Sequence, residues 1–68
     1  MVGDRALRVA RIFAEAVEHL GDEKLATQWL RSRIYALGNE RPLDLLDSDI
    51  GTQTVHDLLV RMEYGMLS

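Results

Sequence analysis

The sequence predicts an all-α fold, a compact bundle of three main helices and one short one. Three observations lead there. Apolar residues recur at helical spacing over residues 5–20, 23–31 and from about Ile50 or Thr52 to Tyr64. Between these stretches lie residues that stop and restart helices: Gly21-Asp22, Gly38-Asn39, Pro42 and Ser48-Asp49. No alternating strand pattern flanks Gly38-Asn39, which excludes a β-hairpin there.

The first helix starts at an Asp4 N-cap. Val9, Phe13, Ala16, Val17 and Leu20, with Ala6 and Ala10, fall within about 120° of one wheel face and are the expected core stripe. Arg8, Arg11, Glu15, Glu18 and His19 fall opposite, with Glu15 and His19 four residues apart as a surface pair. Leu7 and Ile12 lie off the stripe, at its margin or against a partner. Gly21 ends this helix, because glycine adopts the left-handed conformation there without a Cβ penalty.

Asp22 caps the second helix, whose apolar face is Leu25, Ala26, Trp29 and Leu30. Trp29, the single tryptophan, plugs the gap between helices 1 and 2. Ile34, Ala36 and Leu37 are expected to fold back on the core. Gly38-Asn39 is a turn, since both residues tolerate positive φ. Pro42 opens a short helix at its favoured first position, with Leu43, Leu45 and Leu46 on its apolar side. Asp44 suits the positive end of that helix, and Ser48-Asp49 offers the next cap. In the last helix Val55, Leu58, Leu59 and Met62 form the core stripe, while Val60 and Tyr64 project to another side near Gln53.

Length and composition bound the function. Sixty-eight residues make one domain at most. There is no cysteine, so neither disulfides nor thiolate metal sites are available, and 47% of residues are apolar. Domains this small usually need staples or a partner, and that apolar surplus favours self-association or an obligate partner. The net charge of −3 argues against a nucleic-acid binder. Residues 1–34 carry six basic and five acidic groups, residues 35–68 two basic and six acidic. The acidic second half suits a positively charged partner or is simply a solvated face.

No apolar stretch approaches the length of a membrane span, and Asp4, Arg5, Arg8 and Arg11 break up the apolar region a signal peptide needs, which leaves the cytoplasm as the expected location. No cofactor, metal site or enzymatic activity is expected. His19 and His56 have no second ligand at a metal-motif spacing, His56 and Asp57 point about 100° apart on a helix, and Ser32, Ser48 and Ser68 lack a nucleophile context. As a DNA reader the last helix is poor, with Gln53 and Arg61 set against Asp57 and Glu63. Arg5, Arg8 and Arg11 on helix 1 are the available phosphate contacts.

One ordered set of residues says more. Trp29-Leu30, Ala36-Leu37-Gly38, Pro42-Leu43-Asp44-Leu45-Leu46, Gly51, Val55, Leu59 and Arg61-Met62-Glu63-Tyr64-Gly65 resemble the C-terminal toxin-binding domain of Xre/MbcA/ParS-type antitoxins, the partners of RES-domain toxins. The resemblance covers nearly the whole chain, residues 1–68 being taken as this domain. It departs from the family at Asn39 and Arg41, where a second glycine and a small residue are common, and at Ser32-Arg33-Ile34, which replaces a Pro-Asn-type turn. Family members often carry an N-terminal helix–turn–helix region. Nothing here corresponds to it, so the chain is expected to be a fragment or a short homologue, with DNA contacted only through that missing region.

The resemblance implies inhibition by occlusion of an NAD-consuming toxin's active site. The partner-binding residues it implies are Val60, Arg61, Glu63, Tyr64, Gly65, Met66, Leu67 and Ser68. Tyr64 is the aromatic anchor. Glu63 and a Ser68 carboxylate are anions for the arginines that a pyrophosphate pocket needs, and Met66 and Leu67 are filling for its apolar part. The alternative is an oligomerisation or DNA-binding module of a small transcriptional regulator.

Overall fold

A computed structural model describes the backbone of residues 2–65 and the side chains of residues 4–62. Its elements are α1 (Val2–Leu20), α2 (Glu23–Arg31), a 3₁₀ turn (Tyr35–Leu37), α3 (Pro42–Leu45) and α4 (Asp49–Gly65). The fold is all-α, and among the described residues there is no strand. Helix α1 packs against both α2 and α4, and α3 bridges α2 and α4. Ile12, Ala16, Ala26, Leu30, Leu46, Val55 and Leu59 form the centre of the core.

The punctuation residues act as their chemistry requires. The Asp22 carboxylate accepts from the Leu25 backbone N–H at 3.2 Å and caps α2. Gly38 and Asn39 both have positive φ, 70° and 65°. That turn lets Ile34 N–H donate to the Glu40 carbonyl at 3.0 Å, a single bridge and not a hairpin. Pro42 opens α3 and is buried. Ser48 caps α4: its hydroxyl accepts from Gly51 N–H at 2.9 Å. Arg41 donates to both Asp44 carboxylate oxygens, at 2.8 and 2.9 Å. These hydrogen bonds hold the Asp44 carboxyl below its usual range and raise Arg41; the charges of Arg41, Arg33 and Arg5 also lower Asp44, against a desolvation effect.

Several expectations need correction. Helix α1 begins at Val2, so Asp4 sits inside its first turn and is not the cap. Ile12, placed off the stripe, is 1% exposed and central to the core, whereas Ala6 and Ala10 are exposed. The rest of the expected stripe holds: Ala16 is fully buried and Val9, Phe13, Val17 and Leu20 pack against the core, so the buried face is the expected one widened towards Ile12 and trimmed at Ala6 and Ala10.

Long-range contacts lie on the Ile12 side. The Arg5 guanidinium pairs with Asp47 and reaches the Leu43 carbonyl. Arg8 pairs with Asp49 at 2.9 Å and donates to the Asp47 carbonyl at 3.3 Å. Glu15 pairs with His56. All three side chains leave α1 on the side of Ile12, so the α3–α4 junction and α4 lie there. The opposite apolar arc, from Ala6 through Ala10 and Ala14 to the 65%-exposed Leu7, faces outward. Leu25 is 49% exposed, and Ala36 is exposed where a core position was expected. Helix α4 begins at Asp49, one to three residues before its expected start.

Gly51 has a steric reason to be glycine. A Cβ there would lie 1.9 Å from the Leu45 carbonyl oxygen, so the first turn of α4 sits directly against the end of α3. This contact and the two arginine ties fix how α4 leaves the body.

Candidate functional site

Helix α4 carries the residues singled out by sequence. Its first turn is held by Ser48: besides the cap, Thr52 backbone N–H and hydroxyl both donate to the Ser48 carbonyl, at 3.0 and 2.8 Å. From there the helix presents two sides. Val55, Leu58 and Leu59 are buried and Met62 packs beside them, as periodicity predicts. The outward side starts at Ile50, 82% exposed, and continues through Gln53 and Asp57, which hydrogen-bond each other at 2.9 Å. It then reaches half-buried Val60 and exposed Arg61. His56, Asp57, Val60 and Arg61 together line an open depression.

Of the sequence-predicted partner-binding residues, Val60 and Arg61 therefore lie side by side on the solvent side of α4. Glu63, Tyr64 and Gly65 continue the helical backbone. Met66, Leu67 and Ser68 lie outside the described residues.

A second feature was not legible in the sequence. Arg11, Glu15, Asp49, Thr52, Gln53 and His56 line a groove of about 190 Å³ between α1 and α4, floored by Ile12. The His56 Nδ1 meets the Glu15 carboxylate across 41 residues of chain, and no local spacing announces that contact. A carboxylate on one imidazole nitrogen can orient a general base. Here, however, the neighbouring Thr52 hydroxyl is committed to the Ser48 carbonyl, so its proton is not aimed at the ring. What the pair does structurally is tie α1 to α4.

Among the described residues no group of three His, Cys, Asp or Glu is placed to hold a metal ion. Nor, among the described residues, is any helix long and apolar enough to cross a membrane. The guanidinium groups of Arg5 and Arg8 are spent on Asp47 and Asp49, which removes two of the three cations available for phosphate contact.

Comparison with known proteins bears on the same segment. Residues 14–65 match the family model described as antitoxin Xre/MbcA/ParS C-terminal toxin-binding domain. Two relatives, each named antitoxin Xre, cover 96% of the chain. The one from Photorhabdus laumondii is 34% identical over 70 residues. The one from Yersinia enterocolitica is 35% identical over 66 residues. The chain spans about half of each relative, 47% and 45%. The matched window takes in α2, α3, all of α4 and the C-terminal third of α1. The chain belongs to the antitoxin Xre/MbcA/ParS C-terminal toxin-binding domain family.

Proposed function

We propose that this chain binds a RES-type, NAD-consuming toxin and neutralises it by covering the toxin's active site with the end of α4 and the residues that follow, Val60 to Ser68. It performs no reaction itself. The observation that carries this reading is the two-sidedness of α4. Its inward side is filled by Val55, Leu58 and Leu59, while Val60 and Arg61 remain at the surface late in the same helix. The family match runs to residue 65 and so includes that surface. A helix anchored at its base by Ser48 and Gly51 and open on its far side is suited to entering a cleft as a rigid unit, since little ordering entropy is left to lose on binding.

Self-association belongs to the same reading. The outward arc of Leu7, Ala10 and Ala14 on α1 is the apolar surface that supports it, and sedimentation of the isolated chain measures it. Direct DNA binding by α1 finds no support in the ion pairs of Arg5 and Arg8.

The test is co-expression with a RES-domain toxin, reading co-purification and NAD consumption. The full chain suppresses NAD loss. Deleting residues 66–68, or replacing Tyr64 by alanine, weakens suppression with helix content unchanged by circular dichroism. Full suppression by both variants would refute occlusion by this terminus.

A further inference from the structure

Helix α1 turns an apolar seam to solvent. Leu7 is 65% exposed, and Ala10 and Ala14 are exposed beside it, at i, i+3 and i+7. That spacing is the one with which a helix meets a second helix along its length. None of the three belongs to the core or packs against it. The seam lies on the far side of α1 from Ile12, and so from α4 and the α3–α4 junction.

Charges border one edge of this seam. Asp4, Arg11 and Glu18 follow one another at seven-residue intervals, all exposed and alternating in sign. Among the described residues none of them forms an ion pair or a side-chain hydrogen bond, unlike Arg5, Arg8 and Glu15 on the same helix. The other edge is apolar, with Ala6 and Phe13.

This pattern is complementary to itself in one direction. Two copies of α1 packed antiparallel about a two-fold axis bring their charged edges together on one side and their apolar edges together on the other. Parallel packing would set the charged edge of each copy against the apolar edge of the other. The signs then choose the register. With Leu7 of each copy opposite Ala10 of the other, Asp4 and Arg11 of opposite copies stand about 3 Å apart along the axis, at a rise of about 1.5 Å per residue. Two ion pairs form at once. A slide of one heptad, with Ala10 opposite Ala14, would set Arg11 against Arg11 and Asp4 against Glu18. A slide of two heptads restores opposite signs but carries Leu7 past the end of the other copy's α1.

We propose that α1 pairs antiparallel with α1 of a second copy of this chain, with Leu7 seated against Ala10 and Ala14, and Asp4 paired with Arg11 across the two-fold axis. The alanines let the two helices approach closely around the leucines. This pairing rests on the self-association read above and supplies its geometry; the covering of a toxin by α4 does not depend on it.

Sedimentation equilibrium of the full chain across the micromolar range measures the pairing. The parent dimerises as its concentration rises. Asp4→Arg and Arg11→Glu each set like charges across both contacts and weaken dimerisation about tenfold. An equimolar mixture of the two variants restores it, because every contact of the mixed dimer again joins opposite signs. Both variants keep a net negative charge, so net charge does not draw them together. Ala10→Glu removes the dimer while circular dichroism stays that of the parent, because Ala10 is exposed in the single chain. A parent chain that is monomeric throughout would overturn the pairing together with self-association. A dimer indifferent to both charge reversals, a mixture no tighter than its separate components, or an Ala10→Glu chain that still dimerises would overturn this pairing and leave self-association to another face.

Discussion

Replacing Gly51 by alanine sets two effects of opposite sign against each other. Gly51 lies in the first turn of α4 and its φ is not among the positive ones, so alanine suits the backbone. Helix propensity alone favours the substitution by about 1 kcal/mol. Against this, the new methyl would meet the Leu45 carbonyl oxygen at 1.9 Å, the Leu45 carbonyl carbon at 2.9 Å and the Ser48 hydroxyl at 3.0 Å. Two of these neighbours are main-chain atoms and cannot rotate away. Relief requires the end of α3 and the start of α4 to separate by more than 1 Å, on the order of the deficit from ordinary van der Waals contact.

That movement pulls on the Ser48 cap, worth about 1 kcal/mol, and on buried Leu46. Overpacking strain of about 1–3 kcal/mol or more accompanies it. The net expectation is destabilisation by about 2–3 kcal/mol. For a domain of this size that lowers the melting temperature by roughly 10–20 °C. Thermal denaturation followed by circular dichroism measures it, with Ser48→Ala as the control that removes the cap alone, at a cost of about 1 kcal/mol. A Gly51→Ala chain as stable as the parent, or more so, would refute the steric reasoning and show that propensity decides.

Three further perturbations test the packing and the charges. Ile12→Ala should cost about 2–5 kcal/mol in urea denaturation, as a buried deletion does, whereas Ala10→Glu should stay within about 0.5 kcal/mol; the reverse order would return Ala10 to the core stripe and Ile12 to its margin. Arg8→Ala removes one ion pair and one hydrogen bond to a main-chain carbonyl and should destabilise by about 0.5–1.5 kcal/mol, with a smaller loss at high salt. Asp44 has a lowered pKa in the folded chain, so its pairing with Arg41 contributes stability that is complete above the unfolded carboxylate range and is lost as pH falls through the lowered folded value. The urea midpoints of the parent and Asp44→Asn should therefore differ at neutral pH and converge on acidification; a constant difference down to strong acid would contradict the assignment.

The features legible in the sequence were those set by neighbours along the chain. The Asp22 and Ser48 caps, the positive φ at Gly38 and Asn39, the Pro42 start and the Val55/Leu58/Leu59 face all follow from local chemistry. The α1 stripe of Val9, Phe13, Ala16, Val17 and Leu20 was read correctly, and only its edges were misjudged, because alanines weigh on a helical wheel as apolar without driving burial. Ala6 and Ala10 pulled the apparent stripe away from Ile12. On the Ile12 side α1 makes contacts 38–42 residues away in sequence, Arg5 and Arg8 to the α3–α4 junction and Glu15 to His56. Periodicity has no access to such distances. Leu25 failed for a related reason: α1 ends at Leu20, and the corner it leaves stays open as a groove beside Trp29. On α4 the outward position of Val60 and Arg61 was readable, because one occupied face of a helix fixes the other.

The arginine ties also bear on where this molecule may be trimmed. The family-model match begins at residue 14, yet Arg5 and Arg8 stand before it and grip Asp47 and Asp49 inside it. A chain excised at residue 14 would shed both guanidinium groups and leave two neighbouring carboxylates repelling each other at the root of α4. The mechanical unit is longer than that window, and its first two turns work as a brace for the helix at its opposite end.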